Sequence, residues 1–169
     1  MEFTVKRISA EDTRPLRQQL LRQGVPLDRL LYNGDLQPDT LHVGAFAGEK
    51  HIGIATVMCQ PPNVSKGVPA VHPFPDEMSA FRLRGMAVTD DAQGHGVGAA
   101  MLKVCIGHVA EHEGAFLWCD ARITARDFYA KYDFVIIGDE YMVPDVGPHY
   151  FMQRGIAPGD VALLDVYMA

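Results

Sequence analysis

A glycine-rich turn between a strand-like segment and a helix-like segment is the feature that most constrains the fold of this chain. The turn reads Gln93-Gly94-His95-Gly96-Val97-Gly98-Ala99. Residues 81–88 before it are rich in strand formers, and apolar residues after it recur at helical spacing. The glycines let backbone N–H groups converge, the first helical turn leaves N–H donors unpaired, and Gln93 adds a side-chain amide. This turn therefore predicts a binding site for a phosphate or diphosphate group.

Two other interpretations fit the same turn. Gly94, Gly96 and Ala99 satisfy the G-x-G-x-x-G/A pattern of a dinucleotide-binding oxidoreductase, and Asp120 ends the next apolar segment near the place of a ribose-binding acid. Too little chain follows the turn, however, for a complete doubly wound sheet. The turn is also compatible with a tight connection that binds nothing.

Size and charge exclude several classes of protein. The 169 residues, 48% of them apolar, are enough for one domain with its own core. A net charge of −6 argues against nonspecific nucleic-acid binding. The chain has no signal-like start and no apolar run long enough to span a membrane. Its three cysteines form no C-x-x-C pair and lie in apolar runs, so they are expected to be reduced packing residues of a cytoplasmic protein, although Cys119 is also a conceivable nucleophile.

Alternation and turn residues predict a mixed sheet with helices on both faces, an α/β (α+β) fold. The predicted strands cover residues 3–8, 41–47, 51–59, 81–88, 115–120, 134–141 and 149–154. The predicted helices cover a segment from Ser9 to Gly24 and residues 26–31, 96–113 and 124–132. A proline-rich segment, residues 61–80, is expected to be a long loop.

The strand at residues 81–88 changes phase partway along. Its apolar residues begin at Phe81 and Leu83 and continue at Met86 and Val88. Since side chains alternate between faces, one extra residue must be inserted, and Gly85 is the natural place. We therefore predict a β-bulge that leaves backbone groups near Met86, Ala87 and Val88 free to pair with an extended ligand. A glycine at a kinked edge, without a ligand, is the simpler alternative.

A short helix after the next strand carries an aromatic stripe. Ala125, Phe128, Tyr129 and Tyr132 recur at i, i+3, i+4 and i+7, which is the spacing of a face packed on the core. A tyrosine in such a stripe usually serves packing. Its phenol is also chemically able to give a proton to a departing thiolate.

The three features together resemble the GNAT superfamily of N-acetyltransferases. Residues 93–98, QGHGVG, match the family's Q/R-x-x-G-x-G/A loop, and residues 125–134, ARDFYAKYDF, are similar to its A-x-x-F-Y-x-x-x-G-F motif. The resemblance implies a mostly antiparallel sheet of about seven strands and direct transfer of an acetyl group from acetyl-CoA to an amine. Asp133 replaces the motif's glycine, and aspartate tolerates the left-handed conformation needed there.

The resemblance also implies roles for individual residues. The diphosphate would lie on the N–H groups of residues 94–98, and the pantetheine would pair with Met86 and Val88, its thioester carbonyl near the Met86 N–H. Tyr129 occupies the position of the tyrosine that protonates the coenzyme A sulfur. Arg122 replaces an asparagine that touches coenzyme A in many relatives, and could instead pair with a phosphate or with Asp120. The residues expected to contact acetyl-CoA are Met86, Ala87, Val88, Gln93, Gly94, His95, Gly96, Val97, Gly98, Ala99, Arg122, Ala125 and Phe128.

No metal is expected, and the general base is left open. The candidates for the base are His72, Asp76, Glu77, Asp120 and His149. His108 and His112 lie at helical i, i+4 spacing, but with no third ligand evident they are interpreted as the polar edge of a helix.

The expected organisation is a GNAT-like domain over residues 1–154 and a C-terminal extension over residues 155–169. The apolar extension is expected to pack on the domain or on a second subunit of a homodimer. The acceptor is expected to be a small-molecule or peptide amine, with no nucleic-acid or membrane partner. The non-enzymatic alternative is an acetyl-CoA-binding sensor or interaction domain.

Overall fold

Among the described residues, eight β-strands form a single sheet at the centre of the protein. The structure, a computed structural model, describes residues 1–62 and 79–168. The strands are β1 (Thr4–Ile8), β2 (Leu41–Ala47), β3 (Lys50–Cys59), β4 (Ala80–Val88), β5 (Phe116–Arg122), β6 (Val135–Ile136), β7 (Tyr141–Val143) and β8 (Gly147–Gly155). Their order is β1-β2-β3-β4-β5-β8-β6, and β7 also pairs with β8. Within the described ranges, β4 and β5 are the one parallel pair.

This topology confirms the predicted mixed, mostly antiparallel sheet flanked by helices. The predicted sheet of about seven strands contains eight in the described residues, and the single strand predicted at residues 134–141 is wrong. Gly138 has a φ of +80° and breaks that segment, so β6 and β7 pair separately with β8. The doubly wound dinucleotide fold considered above is wrong, since it requires a mostly parallel sheet.

In the part of the chain that the structure describes, four α-helices and several short 3-10 turns flank this sheet. The α-helices are α1 (Ala10–Leu16), α2 (Val97–Glu111), α3 (Arg126–Ala130) and α4 (Ala162–Tyr167), and α1 continues into a π-helical turn at Arg17–Leu21. Ser9 begins α1 as expected, since its hydroxyl accepts a hydrogen bond from the Asp12 N–H at 3.1 Å. The helix predicted at residues 26–31 is only a 3-10 turn, Leu27–Arg29. Leu30 leaves the helical conformation and turns into the core, where it is 1% exposed.

Helix α2 supplies much of the core that holds the sheet. Its side chains Met101, Leu102 and Cys105 have no exposed surface and join the main apolar cluster of β2, β3 and β4. On its other side α2 contacts the 3-10 turn Pro158–Val161 and α4. This contact is close, since a Cβ atom added at Gly107 would lie 2.9 Å from Leu164 Cγ. Residues 158–167 thus pack on their own chain, while the domain boundary at residue 154 stays a prediction.

The described part of the chain contains no helix that is both long enough and apolar enough to cross a bilayer. The proline-rich segment falls largely outside the described residues. His72, Asp76 and Glu77, three of the candidate bases, lie there.

Candidate active site

Strand β4 contains the predicted bulge. Ala87 pairs with Ile54 and Arg84 pairs with Thr56, so three steps along β4 match only two along β3. The extra residue falls at Gly85 and Met86, opposite Ala55, and Gly85 has a φ of +60°, which suits glycine. The phase slip in the sequence therefore has the cause that we expected.

Strands β4 and β5 separate beyond their first residues. They pair from Ala80 with Phe116 to Arg82 with Trp118, while β5 stays paired with β8 as far as Arg122. The bulge lies just past the last β4–β5 pair. The result is a cleft in the middle of the sheet with one kinked edge.

The glycine-rich turn joins this cleft to helix α2. Gly94 and Gly96 have φ values of +77° and +83°, and a Cβ atom added at either would meet nothing within 4 Å. The first bond of α2 runs from Ala100 N to Gly96 O, so the N–H groups of residues 97–99 precede the helical ladder. The Gln93 amide donates to Val88 O and to Asp90 Oδ1, both at 3.3 Å, so this side chain braces the turn against the end of β4.

The turn, the bulged strand and the aromatic helix meet at Gly98. A Cβ atom added there would lie 3.4 Å from Met86 Cε and 3.5 Å from Phe128 Cζ. The Phe128 ring packs in turn against Tyr129, with 5.2 Å between the ring centroids. Three motifs that the sequence presents separately thus share one contact point.

Tyr129 lies beneath the bulge. Its side chain is buried, and its hydroxyl lies 3.8 Å from Met86 Sδ. Burial raises the pKa of Tyr129 well above its ordinary value of 10.0, and the Cys119 and Cys105 thiols contribute in the same direction. The phenol is therefore fully protonated at neutral pH, which is the state that a proton donor requires. Asp133, at the end of the same motif, has a φ of +67°, the left-handed conformation expected of it.

A cavity of about 680 Å³ opens between β4, β5 and the β7–β8 hairpin. Of the residues singled out from sequence, Met86, Arg122, Ala125, Tyr129 and the candidate bases Asp120 and His149 line it. The remaining expected acetyl-CoA contacts do not line this cavity: Ala87, Val88, Phe128 and residues 93–99. The cavity therefore adjoins the tyrosine end of the cleft rather than the glycine turn.

The candidate bases Asp120 and His149 differ in whether they retain an atom that is able to accept a proton. Asp120 accepts a hydrogen bond from Arg82 Nη2 at 2.9 Å and another from the Tyr141 hydroxyl. Burial, followed by that bond to Asp120, raises the pKa of Tyr141. Arg122 is not the partner of Asp120, so that expected alternative is wrong. The Nδ1 atom of His149 lies 2.7 Å from the Gly147 carbonyl, which makes Nδ1 the protonated nitrogen of the neutral ring and leaves a lone pair on Nε2.

Cysteine chemistry is not favoured at this site. Cys119 lines the cavity but is buried, and burial raises its pKa, so it remains a thiol. Burial also raises the pKa of Cys105, to about 12. Both residues behave as the packing residues that we expected.

The His108–His112 pair does have a potential third ligand. Glu111 completes a group in which one ligand atom from each side chain lies within 4.8 Å of the other two. Sequence spacing alone did not identify Glu111 as part of the pair. The group lies near the end of α2, among residues that do not line the cavity.

Several cavity residues were not identified from sequence. Tyr32, Arg82, Arg84 and Tyr141 all line the cavity. The spacing of Arg82 and Arg84 was a usable signal, because residues at i and i+2 of a strand share a face. Nothing local to Tyr32 or Tyr141 indicated that they approach that face.

The chain is similar to known acetyltransferases. A family model described as an acetyltransferase (GNAT) domain matches residues 31–146. The protein named uncharacterized N-acetyltransferase YitI of Bacillus subtilis (strain 168) is 30% identical over 150 residues, which covers 89% of this chain and 94% of that protein.

Solved structures share the fold at low identity. Ard1 from Thermoplasma volcanium superposes with a TM-score of 0.70 at 17% identity, covering 93% of this chain and 99% of that chain. An aminoglycoside 6'-N-acetyltransferase complexed with coenzyme A superposes with a TM-score of 0.65 at 13% identity, covering 88% and 91%. The family model and the Bacillus subtilis relative confirm the predicted resemblance to N-acetyltransferases, and the solved structures confirm the fold.

Proposed function

Because this chain belongs to the GNAT acetyltransferase family, we propose that it transfers an acetyl group from acetyl-CoA to a primary amine of a small molecule or peptide. The observation that carries the proposal is the meeting of three elements at Gly98. A helix N-terminus with free donors, a strand edge with an extra residue and a protonated phenol all adjoin one cleft.

The donor fits the cleft by its charge and its shape. The diphosphate is proposed to lie on the N–H groups of residues 94–98, where Gly94 and Gly96 leave open space. The uncharged pantetheine arm is proposed to extend along Met86–Val88, on the edge of β4 that faces β5 and is no longer paired with it beyond Arg82. Ala125, Phe128 and Arg122 are proposed to complete the walls of this channel.

The proposed chemistry is direct attack in a ternary complex. The neutral amine attacks the thioester carbonyl, whose oxygen accepts a hydrogen bond from the Met86 N–H as negative charge develops. The carbon–sulfur bond then breaks, and the Tyr129 hydroxyl gives its proton to the departing thiolate. The nitrogen of the new amide loses its extra proton through water, which restores the Tyr129 phenol. The closeness of that hydroxyl to Met86, 3.8 Å from Sδ, supports this assignment.

An ammonium acceptor must lose a proton before it can attack. We propose His149 as the base that removes it, directly or through one water molecule. The Gly147 carbonyl orients this ring so that the lone pair is on Nε2, and His149 lines the same cavity as Tyr129. Asp120 is less suited to this role because Arg82 and Tyr141 already occupy its oxygens.

The binding step is tested by thermal shift and calorimetry with acetyl-CoA, and with NAD as the comparison. A ligand that binds only the native state stabilises it by mass action, so a shift with acetyl-CoA alone is expected. The transfer step is tested by release of free thiol with a panel of amines, amino acids and peptides. Absence of acetyl-CoA binding would refute the proposal, whereas binding without transfer to any amine would favour the sensor alternative.

The Tyr129→Phe variant tests the proton donor. It is expected to bind acetyl-CoA as the wild type does but to turn over about 10²- to 10⁴-fold more slowly, the usual contribution of a general acid. Tyr132→Phe is the matched control, since Tyr132 packs on the same apolar cluster but does not line the cavity. Equal turnover in the two variants would remove Tyr129 from the mechanism.

A further inference from the structure

We infer that the acceptor is an amine that also carries a carboxylate, and that Arg84 binds this carboxylate in the cavity beside the bulge. The inference rests on the proposed transfer of an acetyl group to an amine in the same cavity. It concerns which amine is chosen, and it is argued from the charges that surround Arg84.

The cavity is cationic although the protein is acidic. Among the described residues, the charged side chains that line it are Arg22, Arg82, Arg84, Arg122 and Asp120, four cations and one anion. The whole chain has a net charge of −6. An excess of guanidinium groups in this concave region of an otherwise acidic protein favours an anionic guest over a purely cationic amine.

The single anion in the lining is already paired. Asp120 bonds to Arg82 and to the Tyr141 hydroxyl. Arg84, by contrast, has no ion-pair partner among the described carboxylates. Burial, followed by repulsion from Arg82, lowers the pKa of Arg84 to about 10. It is therefore still charged at neutral pH, and an anion brought to it would relieve the desolvation of that charge.

An aromatic ring holds the Arg84 guanidinium in place. Arg84 Cζ lies 4.1 Å from the centroid of the Tyr32 ring, and Arg17 Cζ lies 3.8 Å from the same centroid. Both guanidinium groups therefore pack against the same aromatic ring. Arg17 is bonded through two nitrogens to Asp35, at 2.6 and 3.1 Å, and its charge is thereby balanced. Of the two cations on this ring, Arg17 does not line the cavity and is balanced by Asp35, whereas Arg84 lines the cavity and has no such partner among the described residues.

The diphosphate of the donor is not a suitable partner for Arg84. In the proposed arrangement the donor runs from the glycine turn back along β4 to its thioester at Met86. Arg84 lies on the far side of Met86 from that turn, and a strand advances about 3.3 Å per residue. The uncharged pantetheine arm would separate Arg84 from the phosphates, so the anion that Arg84 binds must belong to the acceptor.

A carboxylate matches this site by its geometry. A planar guanidinium presents parallel N–H donors that bind both oxygens of a carboxylate at once. Stacking on Tyr32 leaves the edge of the guanidinium, which carries those donors, free for such a contact. The substrate class is thus a small amino acid-like molecule, or a short peptide whose terminal carboxylate reaches Arg84.

The wild-type enzyme tests the inference through matched acceptors. Each amino acid or dipeptide is compared with its carboxamide and, for amino acids, with the decarboxylated amine. We expect kcat/KM to be at least about 30-fold higher for the carboxylate than for the carboxamide, because a buried charge pair that loses one partner commonly costs that much or more. A free amino acid and a dipeptide in the same assay distinguish the two sources of the carboxylate.

The Arg84→Gln variant assigns the effect to one residue. It should lose at least about 30-fold in kcat/KM with carboxylate acceptors and less than about 3-fold with carboxamides, so that the preference disappears. Arg29→Gln is the matched control, since Arg29 is exposed and does not line the cavity. If Arg84 had only a structural role, the variant would lower kcat/KM equally for carboxylate and carboxamide acceptors.

The outcomes separate the two proposals. Equal rates with carboxylates and carboxamides in the wild type would overturn the carboxylate inference and leave the N-acetyltransferase proposal intact. A preference that survives in Arg84→Gln would overturn the assignment to Arg84. Failure to bind acetyl-CoA at all would overturn the proposed function itself, and this inference with it.

Discussion

Replacing Asp35 with asparagine is expected to lower the free energy of unfolding by about 3–5 kcal/mol, the usual cost of breaking a buried ion pair from one side. Arg17 is 0% exposed, and Asp35 is its one carboxylate partner among the described residues. Asparagine keeps one of the two oxygens but removes the negative charge. Its NH₂ group would face an N–H donor of Arg17 instead of accepting a hydrogen bond from it. The Leu30 carbonyl at 2.8 Å and the Thr56 hydroxyl at 3.0 Å would remain, and neither is an anion.

The effect should be large relative to the whole stability of the domain. Domains of this size are typically stable by about 5–15 kcal/mol, so Asp35→Asn would remove a substantial fraction of the total. Urea denaturation followed by circular dichroism measures the change. Asp28→Asn is the matched control, because Asp28 is exposed and a substitution at such a surface site usually changes stability by less than about 0.5 kcal/mol.

A double-mutant cycle with Arg17→Met tests the stated cause. If the loss arises from a stranded guanidinium, Asp35→Asn should cost much less in the Arg17→Met background. A cost below about 1 kcal/mol in the wild type, or an equal cost in both backgrounds, would refute the reasoning. The cycle also bears on the cavity, since Arg17 stacks on the ring that holds Arg84.

Three further perturbations have defined outcomes. Burial lowers the pKa of His108 from 6.5 to about 4. Between these pH values His108 is protonated in the unfolded chain but remains neutral in the folded one. Stability should fall by at most about 3 kcal/mol as the pH drops from 6.5 to 4, and a His108→Gln variant that keeps the wild-type slope would contradict this. Gly107→Ala should push Leu164 away from α2 and so speed proteolysis of the C-terminal segment. Gly159→Ala should not, because a Cβ atom added there would meet nothing within 4 Å. Equal cleavage rates in the two variants would contradict the packing of α4 on α2. Gly85→Ala should lower the free energy of unfolding by about 1–2 kcal/mol, because alanine would have to adopt a left-handed conformation. It should also weaken acetyl-CoA binding measured by calorimetry. Unchanged binding would show that the bulge is not part of the donor site.

The sequence predicted those parts of the fold whose signals are local. The bulge at Gly85 was predictable because alternation along one strand reveals an inserted residue within a few positions. The glycine turn and the start of α2 were predictable because φ preferences and helical periodicity act over a few neighbouring residues. The left-handed Asp133 follows in the same way from the position of a single residue in a motif.

The sequence could not predict the parts that depend on distant pairings. Arg17 meets Asp35 and Thr56, which lie 18 and 39 positions away, and nothing near Arg17 distinguishes it from an exposed helical arginine. The cavity brings together Tyr32, Arg84 and His149 from three separate segments. Such a lining is set by strand order and register, which composition and periodicity do not contain. The replacement of one predicted strand at residues 134–141 by the separate strands β6 and β7 likewise depends on pairing with β8.

One extra residue in β4 explains how a single strand is able to serve two substrates. In a regular strand the side chains at i and i+2 share a face, so Arg84 and Met86 would point the same way. The insertion at Gly85 breaks that alternation: Arg84 stacks on Tyr32, while Met86 reaches Gly98 and the Tyr129 hydroxyl. The proposed acceptor group and the proposed donor channel are therefore adjacent in sequence but directed to different partners. In the proposed arrangement, a bulge at this position separates the two binding sites by one residue, and the amine meets the thioester between them.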